Sequence, residues 1–130
     1  MQDKPSADEL LDALAEFLEN AVVPAFEGRN RFHAIVAANV ARITAREFRL
    51  GPAHRAAEIA ELRALLGDSS TTAGRSDPSD QELVALSAEL CRRIECGDAD
   101  TGEFRQRSLA FLRRSIERKL AIDDPKRIGR

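Results

Sequence analysis

The sequence has no tryptophan, no tyrosine and a single methionine, and its aromatic content is six phenylalanines in 130 residues. That scarcity suits a core of leucine and alanine and argues against an aromatic binding groove. The longest apolar run falls far short of the roughly 18 residues a membrane span needs. The opening MQDKPSADEL lacks the basic-then-apolar order of a signal peptide, so a cytoplasmic protein is expected. Cys91 and Cys96 fall near a predicted helix end, where their side chains would point about 140° apart. Reduced, structural thiols are expected there rather than a disulfide. There is no CxxC, no zinc spacing, no Gly-rich phosphate loop and no nucleophile elbow. No cofactor is expected.

What is present is a packed-domain composition, 43% hydrophobic and 32% charged. A single helical domain over 1–130 is expected, with residues 124–130 as a loosely ordered tail. The net charge of −2 hides alternating blocks: −6 over residues 1–28, +5 over 29–55, −1 over 56–66, −6 over 67–103 and +6 over 104–130. Packed neighbours can complement each other in this way, or a basic surface can serve an anionic ligand or nucleic acid.

The stretch Arg31–Leu50 is the organising element. At helical spacing Phe32, Ile35, Val36, Ile43 and Leu50 share one face, with Asn39 in its middle and Arg46 close beside it. The opposite face is Ala34, Ala37, Ala38, Ala41 and Ala45. Large residues can fill a core, and small ones admit a second helix closely.

The chain before it opens on a capping box, Ser6-Ala7-Asp8-Glu9. The helix that follows is expected to bury Leu10, Leu11, Leu14, Phe17, Leu18 and Val22 and to turn Asp8, Asp12, Glu16 and Glu19 outward. Pro24 is expected to end it. Leu50-Gly51-Pro52 predicts a tight corner into a third helix with the apolar stripe Ile59, Leu62, Leu65 and Leu66, closed by Gly67. Residues 67–79 contain no large apolar side chain and predict an exposed loop. Ser79-Asp80-Gln81-Glu82 is a second capping box, opening a helix expected to bury Leu83, Leu86, Leu90 and Ile94. A fifth helix is expected to bury Leu109, Leu112, Ile116 and Leu120. The predicted spans are 6–23, 30–50, 52–66, 80–96 and 102–122, an all-α compact bundle of about five helices.

Four polar residues are expected to point where apolar ones point: Asn39 and Arg46 on the second helix, Arg55 and Glu58 on the third. One reading is a buried network that fixes helix register, with Arg46 or Arg55 partnering Glu58. The other is a ligand-binding pocket with arginine as anion clamp and Glu58 as base or ligand. His33, Thr44 and Glu47 share one seam, and His54 lies four residues before Glu58. Neither arrangement makes the paired Glu-x-x-His set of a di-iron bundle, so no metal is expected. Arg31, Arg42 and Arg49 share a flank and Arg113, Arg114 and Arg118 cluster. The acidic overall charge argues against nucleic acid as a partner.

Three segments, QDKPSADELLDALAEFL, RFHAIVAANVARITAREFRLGP and KLAIDDPK, resemble a small bacterial family of uncharacterised helical proteins. Its members are often encoded beside aminoglycoside-phosphotransferase-like kinases and acyl-CoA dehydrogenases. The resemblance implies a stand-alone domain linked to acyl-CoA or small-molecule phosphotransfer metabolism. It carries over no catalytic residue. The expected function is a non-catalytic accessory or interaction protein with such a kinase or dehydrogenase as partner. The alternative is a small-ligand binder or enzyme using Asn39, Arg46, Arg55 and Glu58. A homodimer is expected through the alanine face of the second helix and the apolar breadth of the fifth, including Phe104, Phe111 and Ile122.

Overall fold

A computed structural model describes residues 4–67 and 80–128, and every regular element among them is helical. Helix α1 is Ala7–Phe17, a π-helical turn follows over Leu18–Val22, and a short α2 covers Val23–Ala25. Then come α3 (Gly28–Leu66), α4 (Asp80–Glu95), α5 (Gly102–Asp123) and a 3₁₀ turn, Pro125–Arg127. The all-α class is as the sequence pattern predicts, and α4 and α5 match their expected spans to within a residue. Apart from Gly67, the loop expected over 67–79 lies outside the described residues, as does Ser79 of the second capping box.

The expected corner at Leu50-Gly51-Pro52 is not made. All three residues lie inside the continuous α3. A proline removes one helical N–H donor, here the partner of the Phe48 carbonyl, and a helix can carry that loss when its flanking turns are good formers. Gly51 also does not adopt the left-handed backbone of a helix-ending glycine. Gly67 does (φ 80°), and its N–H donates to the Arg63 carbonyl at 3.1 Å, ending the helix where predicted.

The π turn directly precedes Pro24, whose ring would crowd the carbonyl four residues back in a regular helix. The Val23 N–H instead reaches the Leu18 carbonyl, five residues back. At the start of α1 the Ser6 N–H donates to Glu9 at 2.8 Å, as the capping box predicts, while the Ser6 hydroxyl donates to Asp8 at 2.6 Å.

The chain divides into two compact units. The first takes the residues up to Gly51 and those from Ala121 onward; the second is Pro52–Leu120. In the first unit the expected inside and outside of α1 hold for Glu16, which is exposed, but not for Leu10, Leu14 and Phe17. Leu10, Leu14 and Phe17 are 56%, 48% and 59% exposed, and Leu11, Leu18 and Val22 are half-buried. Asp8, Asp12 and Glu19 instead face α3, where Arg49 and Arg42 meet them, and Ala15 is fully buried between these acids.

A similar departure holds on α3. Ala34, Ala38, Ala41 and Ala45 are buried, whereas Phe32, Ile35, Val36 and Val40 are exposed. Small residues let two helix backbones approach, and a row of acids at helical spacing matches the row of arginines opposite. Of the alanine face expected to serve a homodimer, Ala37 is left exposed and the other four alanines are buried within the unit.

The second unit is more conventional. Ile59, Leu62, Leu65 and Leu66 of α3, Leu86 and Leu90 of α4, and Phe111 of α5 form its core, with Leu83 and Phe104 packed against it. Arg93 stacks on the Phe104 ring at 3.9 Å. Glu82 receives Arg63 at 2.7 Å, and Glu61 receives Arg114 at 3.1 Å together with Arg118.

Here α5 departs from expectation. Its buried residues are Ser108, Phe111, Ser115 and Ile122, while Leu109, Leu112 and Ile116 are exposed. Two serines and a phenylalanine fit close against neighbouring helices, and the larger aliphatic face is left outward. Phe111 and Ile122 are buried, so neither supplies dimer surface. Cys91 and Cys96 are free and exposed.

Candidate functional site

Asn39, Ile43 and Arg46 follow one another at helical spacing along α3, so their side chains share a seam. In the first unit this seam forms one wall of a cleft of about 510 Å³. Glu19 and Arg42 line it as well, and Asp123, Asp124, Pro125 and Lys126 complete it. Its volume lies within the range of small-molecule sites.

Two arginines build the frame. Arg46 donates from Nε to the Ile122 carbonyl at 2.5 Å and from Nη2 to the Asp123 carbonyl at 3.3 Å. It thus satisfies the unpaired carbonyls at the end of α5 and fixes the chain's exit into the 3₁₀ turn. Arg42 donates to Glu19 through Nε at 3.3 Å and Nη2 at 2.8 Å, and to Asp12 through Nη1 at 3.3 Å. Glu19 belongs to the π turn, so the widened helix carries a cleft carboxylate.

The bound arginines set the protonation of the acids. Arg42 holds Glu19 below the usual carboxylate range. Asp12 is lowered first by its hydrogen bond from Arg49 and further by Arg42. Asp8 is lowered first by the Ser6 hydroxyl and then by Arg49. These carboxylates stay ionised and remain committed to arginine, so none is free to act as a base at neutral pH.

The groups left for a ligand are the Asn39 amide, the Lys126 ammonium and the Asp123 carboxylate. Among the described residues their side chains have no recorded hydrogen bond or ion pair. An ammonium, an amide and a carboxylate can hold a small polar molecule. No histidine, thiol or hydroxyl lines this cleft.

The four residues singled out from the sequence divide between the two units. Asn39 and Arg46 share the cleft. Arg55 pairs with Asp80 at 2.7 Å, and Glu58 accepts a hydrogen bond from the Ser115 hydroxyl. Arg55, one of the two arginines read as a possible partner of Glu58, is drawn to Asp80 instead.

The His33–Thr44–Glu47 seam is used locally. Arg29 Nε donates to His33 at 3.3 Å and Thr44 donates to the Val40 carbonyl at 2.8 Å. Among the described residues no group of three or more metal-ligating side chains converges, and no helix is long and apolar enough to cross a membrane. Glu19, Arg42, Asp123 and Lys126 were not candidates from sequence. The signals for them are the Arg42, Arg46, Arg49 spacing and the Asp123-Asp124-Pro125 helix stop.

Residues 24–127 match a family described as Domain of unknown function (DUF6285). No curated protein and no solved structure matches the chain.

Proposed function

We propose that this chain, which belongs to the DUF6285 family, is a non-catalytic accessory protein that docks on another protein through the outward stripe of α1. The supporting observation is the exposure of Leu10, Leu14 and Phe17 on a helix whose acids are turned inward. Each large apolar side chain left in water forgoes about 1.5–3 kcal/mol of burial. Exposed ion pairs return about 0–1 kcal/mol each, so they do not offset an uncovered stripe of this kind. A partner that buries it does.

Glu16, an acid of α1 that arginine does not take up, lies exposed beside Phe17 and favours a partner whose apolar groove has a basic edge. The partner class suggested by resemblance is a phosphotransferase-like kinase or an acyl-CoA dehydrogenase in the cytoplasm. A second copy of this chain is the other occupant of the same stripe. The test is co-purification of the tagged protein from its own host, beside Leu14→Glu. The reading expects one stoichiometric partner with the native chain and its loss with Leu14→Glu. Identical recovery with both, or no partner with either together with a monomer by light scattering, contradicts it.

A second reading rests on the cleft. Asn39 and Arg46 line the same cavity as the unpaired Lys126 and Asp123, which supports binding of a small polar metabolite. Protection of the native protein against heat by a metabolite, abolished in Asn39→Leu, would favour it.

A further inference from the structure

The end of α4, the turn after it and the first turns of α5 enclose a second cleft, of about 480 Å³, wholly within the Pro52–Leu120 unit. Its walls are aliphatic: Ile94, Leu109 and Leu112 line it, and all three are otherwise exposed. Two opposite charges, Asp100 and Arg105, also line it. The Arg105 guanidinium donates through Nη1 to the Asp100 backbone carbonyl at 2.9 Å. That bond ties the cation beside the acid's own peptide, yet the two side chains do not pair. Among the described residues neither has any ion-pair partner.

Ser108 is the third polar group of the wall. It is 3% exposed, and its hydroxyl is buried with no hydrogen-bond partner among the described residues. Buried hydroxyls are almost always satisfied, so this one marks a weakly packed spot in the wall.

We infer that this cleft binds a zwitterion with an aliphatic body, of the class of the branched aliphatic α-amino acids. The ammonium of such a molecule meets Asp100, its carboxylate meets Arg105, and its side chain covers Leu109, Leu112 and Ile94. A simple carboxylate would leave Asp100 facing an anion, and a simple amine would leave Arg105 facing a cation. Only a molecule carrying both charges complements both.

The test is isothermal titration of the full chain with L-leucine, 4-methylpentanoate, 3-methylbutylamine and glycine. The first has both charges and the aliphatic body, and each of the others lacks one of these features. Leucine is expected to bind saturably and at least about tenfold more tightly than any of the three. Arg105→Gln and Asp100→Asn lie on the surface and are expected to fold normally, each weakening leucine about tenfold. Arg105→Gln should also erase the preference for leucine over 3-methylbutylamine, and Asp100→Asn the preference over 4-methylpentanoate. Ser108→Ala is expected to leave leucine binding unchanged while raising the melting temperature of the free protein. No saturable binding of leucine up to roughly 10 mM, equal affinity for a one-charge analogue, or undiminished affinity in either charge variant overturns the inference.

Discussion

Arg49 Nη2 on α3 lies 2.7 Å from Asp12 Oδ2 on α1, while its Nε reaches Asp8 Oδ2 at 3.1 Å. One guanidinium thus spans two carboxylates a helical turn apart and holds the acidic side of α1 against α3. Arg42 repeats the arrangement two turns earlier with Asp12 and Glu19. The two arginines meet α1 and the turn after it on the side away from the exposed Leu10, Leu14 and Phe17.

These pairs make acid stability a direct readout. Asp8, Asp12 and Glu19 have folded-state pKa values below their ordinary ones. A group depressed in this way contributes stability that is present above its unfolded pKa and is lost as pH falls through the folded value. Urea midpoints are therefore expected to be flat near neutrality and to decline below about pH 4. The decline should be shallower in Arg49→Gln and in high salt. An equal decline in wild type and Arg49→Gln would count against the pairing.

Substitutions on the two faces of the first unit should behave oppositely. Leu14→Glu is on the exposed stripe and is expected to change the stability of the isolated chain by no more than about 0.5 kcal/mol. Ala38→Leu enlarges a buried small residue and is expected to cost about 1–3 kcal/mol. Chemical denaturation distinguishes the two. A destabilised Leu14→Glu beside a neutral Ala38→Leu would restore the conventional orientation.

That orientation was the part of the fold hidden from sequence. Periodicity finds two contrasting faces on a helix but is silent on which one turns inward when both can. The stripe Ile59, Leu62, Leu65, Leu66 has no alanine-rich competitor and was legible, as was Gly67 as its stop. On the Arg31–Leu50 stretch the alanine face competed with Phe32, Ile35 and Val36, and Ala34, Ala38, Ala41 and Ala45 are the residues buried. Asn39 with Arg46 was legible as a pair because three and four residue spacings are fixed by the helix itself. Their partners at Ile122 and Asp123 were not, since nothing local ties residue 46 to residue 122.

Glu58 offers a separate test of local bonding. Its recorded partner is the Ser115 hydroxyl, and Ser115 is buried. Glu58→Ala is expected to cost about 1–3 kcal/mol by leaving that hydroxyl unsatisfied, less than the loss of a buried ion pair. Glu58→Gln keeps an acceptor and should be milder. Denaturant midpoints of Glu58→Ala, Ser115→Ala and the double variant should show coupling. Additive losses would mean the bond is not made.

The continuity of α3 predicts the sign of a proline replacement. Pro52→Ala supplies the missing N–H for the Phe48 carbonyl and is expected to stabilise the protein by up to about 3 kcal/mol. At a true interhelical corner the same change would be neutral or destabilising. Thermal unfolding of the two proteins gives the sign directly.

The most direct measurement is the accessibility of α1 side chains in the free chain. In a Cys91→Ser, Cys96→Ser background, thiol labelling of Leu14→Cys and Ala15→Cys is compared at nanomolar protein, where association is minimal. Leu14→Cys is expected to react about as fast as an unstructured thiol, and Ala15→Cys at least about a hundredfold more slowly, since reaction there requires local opening. Fast labelling at residue 15 with protection at residue 14 would mean that the apolar stripe is already buried and that α1 has no face to offer a partner.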